Sequence, residues 1–179
     1  MTAPAPRRTA FTALALLAAA CAGPQAIRPA LQSDGPPPLA LPAGEETALR
    51  LSARGTQNYE CRPASGGGAW ALVAPEAELF DASGHKVGRH YAGPTWESSV
   101  DGSRVKAAVK AHADAPEPGA VPWLLLTATE TSGEGLFGQV KSVQRTDTHG
   151  GQPPAGPCAP GDTVKVPYSA VYWFSRARP

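Results

Sequence analysis

The residues able to do chemistry in this chain of 179 are few, and their spacing says more than their number. Four histidines occur, His85, His90, His112 and His149, and no two stand at the spacing of a compact zinc motif. His85 and His90, five apart on one strand, would point to opposite faces. We therefore expect no metal site and no bound cofactor. General-base chemistry needs a proton acceptor held in place, and His90 with Glu97 or Asp101 as its orienter supplies one on paper. Ser99, Ser103 and Ser169 lack the strand-turn-helix setting of an activated serine. Glu60 and Glu97 could be paired for glycoside hydrolysis, but a chain with 15 acidic residues offers many such pairs. The spacing selects no reaction. The enzyme reading stays open as a hydrolase using His90 and an acid.

Gly133-Glu-Gly-Leu-Phe-Gly138 matches the pattern G-x-G-x-x-G and follows an apolar run ending near Thr129. In a dinucleotide fold that pattern opens a helix whose N-terminus faces the pyrophosphate. Here Gln139-Val-Lys-Ser-Val-Gln-Arg145 follows, without a helical stripe. The acidic residue needed about twenty positions on would fall among Pro153, Pro154, Pro157 and Pro160. The motif reads as a glycine-rich hairpin loop.

A different signal is polar residues in phase with apolar ones. From Ala48 to Cys61 one face reads Leu49, Leu51, Ala53, Gly55, Gln57, Tyr59, Cys61 and the other Arg50, Ser52, Arg54, Thr56, Asn58, Glu60. That is a half-buried strand with room for a bend at Gly55. Gln57 on the apolar side is either a satisfied core amide or part of a polar cavity floor. Tyr91, Trp96 and Glu97 cluster beside the bend signal Gly93-Pro94. Gln57, Tyr59, His90, Tyr91, Trp96 and Glu97 are thus the candidate lining of a small-ligand pocket. The competing reading is a hydrogen-bonded strand crossing with aromatic packing. An unpaired buried charge is expensive, so Glu97 must be paired or open to water. Trp70, Trp96, Trp123 and Trp173 raise a glycan as the alternative partner, with a pocket of His90, Trp96 and Glu97. Trp123 is expected in the core, and a solvent-facing Trp96 or Trp173 would favour a glycan.

The elements that must hold these residues are all strands. Trp70–Val73 and Ala77–Phe80 read as short strands interrupted by Pro75, and Asp81-Ala-Ser-Gly84 turns the chain into His85–Tyr91. Asp101-Gly102 is a second turn, followed by Val105–Ala111, which alternates like a strand although alanine and lysine would also support a short helix. Trp123–Thr129 is a nearly continuous apolar run, as in a strand covered on both faces. Phe137–Thr146 and Tyr168–Phe174 add two more. Turns at this spacing predict an all-β fold, an antiparallel β-sandwich or small β-barrel with long loops and one disulfide.

The N-terminus reads as an export signal, residues 1–21. Arg7 and Arg8 precede an apolar run, Phe11–Ala20, too short to span a membrane. Leu16-Leu17-Ala-Ala-Ala-Cys21 resembles a lipobox, with Ala18 where leucine is commoner, so Cys21 is the expected lipidation site and membrane anchor. Cleavage at an Ala-x-Ala site is the alternative, and Arg7-Arg8 also permits a twin-arginine signal. Residues 22–45 carry six prolines from Pro24 to Pro42 and read as a flexible tether; residues 46–179 form a single β domain. With Cys21 assigned to lipid, Cys61 and Cys158 remain for one disulfide, or for two separate buried thiols. The expected location is the cell envelope, periplasm or outer membrane, or the exterior. A net charge of +1 provides no electrostatic reason to expect nucleic acid.

Several blocks also carry a family likeness. Arg54-Gly-Thr-Gln-Asn-Tyr-Glu-Cys61, Ala74-Pro-Glu-Ala77, His90-Tyr-Ala-Gly-Pro-Thr-Trp-Glu97, Asp101-Gly-Ser103, Pro122-Trp-Leu-Leu-Leu126, Gln144-Arg145, Gly150-Gly151 and Val166-Pro-Tyr-Ser-Ala170 occur in order. In these the chain resembles the bacterial and fungal family called domain of unknown function 3455, from about Ala48 to Phe174. The resemblance implies no established activity. Fungal relatives sometimes carry the label malate dehydrogenase, which the residues around Gly133–Gly138 do not support.

Overall fold

The computed structural model describes Met1 and residues 37–179. The expected export signal, Cys21 and most of the expected tether therefore lie outside the described residues. Eight strands follow in order: β1 (Glu45–Ala64), β2 (Gly67–Phe80), β3 (Lys86–Tyr91), β4 (Thr95–Ser98), β5 (Arg104–Ala113), β6 (Trp123–Ser132), β7 (Ser142–Gly150) and β8 (Thr163–Ala177). Each pairs antiparallel with the next, and β8 pairs with β1, closing an up-and-down barrel. Of the two architectures expected, the barrel is the one observed, with Cys61 bonded to Cys158.

Alternation explains which side chains fill it. Leu51 and Ala53 of β1, Ala77 and Leu79 of β2, Trp96 of β4, Val105 and Ala107 of β5, Leu126 of β6, Val143 of β7, and Ala170, Tyr172 and Phe174 of β8 form one buried cluster. An eight-stranded barrel is just wide enough for side chains to fill, and each large apolar side chain buried there contributes about 1.5–3 kcal/mol. Gly55 lies where β1 and β2 crowd: a Cβ there would sit 2.0 Å from the Glu76 carbonyl oxygen.

Several boundaries differ from the sequence reading. Trp70–Val73 and Ala77–Phe80 belong to one strand, because Pro75 lies beyond the stretch of β2 that pairs with β3, at an edge where a missing N–H is tolerated. The strand expected from Phe137 starts only at Ser142; Phe137 belongs to the β6–β7 loop and is fully buried as an end plug against Phe174, 4.9 Å between ring centres. The Gly133–Gly138 motif is that loop, so no helix follows it. Strand β4 was not expected, its four residues being too few to show alternation. Trp123 is half-buried rather than core. Leu39, within the stretch read as tether, is packed on the barrel: it is 0% exposed and its carbonyl accepts a bond from Gln144 Nε2 at 2.6 Å.

The outside of the ring is charged. Arg54, Glu78, Arg89, Glu97 and Arg104 are successive cross-strand partners from β1 to β5, an alternating ladder of opposite charges. Opposite charges facing each other across strands support this register by about 0.2–1 kcal/mol per pair. A membrane-spanning barrel needs an apolar outer band, which this ladder interrupts.

Candidate functional site

The half of the barrel interior away from Phe137 is polar. His90 pairs with Trp96 across β3 and β4, and their rings stack at 4.4 Å with 12° between planes. Tyr172 meets His90 edge-on at 5.2 Å. The His90 ring is 3% exposed and its Nδ1 is 2.9 Å from the Thr95 carbonyl oxygen. Burial depresses its pKa to about 3, the nearby Arg145 charge adding to the effect against the bond to Thr95, so the ring is neutral at ordinary pH. Next to this stack the Tyr168 and Tyr172 hydroxyls lie 3.4 Å apart. Burial raises the pKa of both, and that of Tyr59. Gln57 is 1% exposed and its Nε2 has no hydrogen-bond partner among the described residues.

This end is closed by two loops. Ala120 and Gly151 form an isolated antiparallel bridge, and the Val121 N–H donates to the Gly150 carbonyl at 2.8 Å. Three successive carbonyls then accept side-chain donors: Ala120 from Gln152 Nε2 at 2.8 Å, Val121 from Thr148 Oγ1 at 2.7 Å, and Pro122 from Arg145 Nη2 at 2.8 Å and Nε at 3.1 Å. From below, the Tyr59 hydroxyl donates to the Gly151 carbonyl at 2.7 Å. Gly151 must lack a side chain, since its φ is 89° and a Cβ would sit 2.9 Å from Tyr168 Cβ and 3.2 Å from Gln57 Cγ. A bulge in the β7–β8 pairing between Thr146 and His149, with Asp147 at φ 47°, lies beneath this strap, where Arg145 and Thr148 both reach it.

The six residues expected to share a pocket divide between two faces. Gln57, Tyr59, His90 and Trp96 are buried. Tyr91 and Glu97 lie outside, in the charged ladder: the Tyr91 hydroxyl donates to Glu97 Oε2 at 2.7 Å, and Arg89 Nη2 donates to both Glu97 oxygens at 3.1 Å. Glu97 is thus paired, and the Tyr91 bond, with Arg89, lowers its pKa. Shallow grooves of about 470 Å³ and about 200 Å³ flank Tyr91 on this outer face. His90, Trp96 and Glu97 line no common pocket, because neighbours on a strand alternate faces. Trp96 and Trp173 are both buried, Trp173 on the outer side with Nε1 donating to Thr146 Oγ1 at 2.9 Å. Asp101 is exposed on the β4–β5 turn at the other end of the barrel, accepting the N–H groups of Ser103 and Leu136.

Sequence reasoning missed Arg145, Tyr168 and Tyr172 as members of the polar end. Arg145 is two residues from the core residue Val143 on β7, so the test that singled out Gln57 applies to it equally.

A family described as Protein of unknown function (DUF3455) matches residues 42–176. The chain belongs to that family. The match covers all eight strands but the last residue of β8, so the family unit is the closed barrel itself. No curated protein and no solved structure matches the chain.

Proposed function

We propose that this member of the family is an exported domain, lipid-anchored in the cell envelope through Cys21, whose barrel binds rather than catalyses. The observation that carries the non-catalytic part is His90. A general base must reach its substrate and hold a pKa near working pH. Here the ring is stacked inside the barrel, held neutral, and separated by the barrel wall from Glu97, while Asp101 lies at the opposite end. Binding is supported by a polar interior end that keeps an amide donor unpartnered. Export is supported by the Cys61–Cys158 bond, which forms and persists in oxidising compartments. A charged outer face fits a barrel that stands in water on its tether instead of sitting in the bilayer.

The test is expression of the full chain in a bacterium with lipoprotein processing. Labelled palmitate should enter the membrane-bound protein and be lost in Cys21→Ala; equal labelling of that variant would overturn the anchor. Native mass spectrometry compared with the denatured mass should reveal a small molecule released on unfolding. An apo mass from cells would weigh toward a structural role. Hydrolysis of chromogenic esters or glycosides that disappears in a folded His90→Gln variant would overturn the non-catalytic reading.

A further inference from the structure

We propose that the strap-covered end of the barrel is a binding site for a small carboxylate, with Arg145 supplying its charge. This deepens the binding-module reading and rests on it.

Arg145 is half-buried, and it takes part in none of the ion pairs among the described residues. Its guanidinium donates to the Pro122 carbonyl and lies within hydrogen-bonding reach of the Tyr172 hydroxyl, and both are neutral. Tyr59, His90, Tyr168 and Tyr172 all feel its charge, and all are neutral at ordinary pH. Removing a charge from water without a counter-charge is costly, and an arginine fork matches a carboxylate in two parallel bonds.

The second observation is independent of Arg145. Gln57 Nε2 is buried with no acceptor among the described residues, and Gln57 reaches Gly151, one of the two loop residues that form the bridge. A buried donor left unpaired forfeits its hydration with nothing in return. The Tyr168 and Tyr172 hydroxyls, 3.4 Å apart, satisfy only one proton between them, so another hydroxyl proton is free to donate. This end of the barrel therefore holds a surplus of donors and one positive charge. A compact anion with two oxygens removes both imbalances, and a neutral ligand would leave the charge unanswered.

The closure also permits entry. Ala120–Pro122 is held over the end by side-chain bonds to its carbonyls and a single bridge, not by a continuous ladder. The oxygen that Arg145 now grips belongs to Pro122, within that strap. A carboxylate oxygen taking the place of the Pro122 carbonyl would pair the guanidinium and loosen the strap in one exchange.

The experiment uses the exported full chain carrying Cys21→Ser, titrated with sodium acetate, sodium phosphate and sodium chloride at fixed ionic strength, with calorimetry and thermal unfolding as readouts. Acetate should bind saturably and raise the unfolding midpoint, since a ligand of the native state alone stabilises it by mass action. Arg145→Met should abolish the response. Gln57→Leu, which keeps the volume and adds no charge, should fold and bind acetate about tenfold more weakly, the loss of one hydrogen bond to a charged group. A response to phosphate alone would overturn the carboxylate assignment. Identical behaviour in all three salts, or full acetate binding by Gln57→Leu, would overturn the site. Neither result bears on palmitate labelling or on hydrolysis, so the reading beneath it stands or falls separately.

Discussion

At one end of the barrel Phe137 sits against Phe174, fully buried and carried by a loop whose backbone is tied by Asp101 and Ser103. At the other end Val121 and Gly151 cover Gln57, Tyr59 and Tyr168, and the loops are tied by Tyr59, Arg145, Thr148 and Gln152. Both closures are loops pinned by side chains. They differ in what lies beneath the loop, apolar rings in one case and hydrogen-bonding groups in the other. An apolar plug is held by burial and loses heavily when atoms are removed. A polar closure gains only the small net value of each hydrogen bond, so it can open without unfolding the barrel. On the binding reading proposed above, the first is a structural end and the second the one that exchanges partners.

Substitutions can break that comparison, and the largest effect belongs to the plug. Phe137→Ala should destabilise the fold by about 3–5 kcal/mol, read as a lowered urea midpoint at unchanged slope; a loss below about 1 kcal/mol would mean that the plug does not close the core.

Acid should separate the two ends next. His90 is kept neutral, with its pKa near 3 in the fold and about 6.5 when unfolded. Its contribution is complete above pH 6.5 and declines as pH falls toward 3, by about 5 kcal/mol in all. His90→Gln should flatten unfolding free energy across that window, and an unchanged slope there would place the ring in water.

Tyr59→Phe should cost about 1 kcal/mol, the net value of one hydrogen bond, and speed amide exchange at Val121 more than at Phe137. Equal acceleration at both would deny the ends their independence.

The smallest change is expected of Asp101→Asn. Bonds from Ser103 and Leu136 hold the Asp101 pKa at about 2, so its contribution is present above about pH 4 and fades as pH falls to 2. The variant should lose that low-pH slope and leave the slope above about pH 4, where His90 titrates without it, untouched.

Much of the frame was legible in the chain. The alternation of β1 put Leu51, Ala53, Gln57 and Tyr59 on one face, and all four are buried. The turn at Asp81–Gly84 and the strand after Asp101-Gly102 are present. The site was legible only in part. Gln57, Tyr59, His90 and Trp96 do share the interior, but Tyr91 and Glu97, grouped with them for their nearness along the chain, face outward. Nearness in sequence misled because adjacent strand residues point opposite ways. Arg145 was invisible as a partner of Tyr59 because no local pattern connects β7 with β1.

By itself the sequence determined the all-β class, the inward face of the long strands and the two cysteines left to pair, since each follows from period, turn chemistry or composition. Tertiary structure decided that β8 returns to β1 and closes a barrel, that Phe137 plugs one end, and that Arg145, Gln57 and three tyrosines meet beneath a strap at the other. The physical reason is that alternation specifies which side of a strand is buried, whereas the choice of neighbour depends on contacts between residues far apart in the chain.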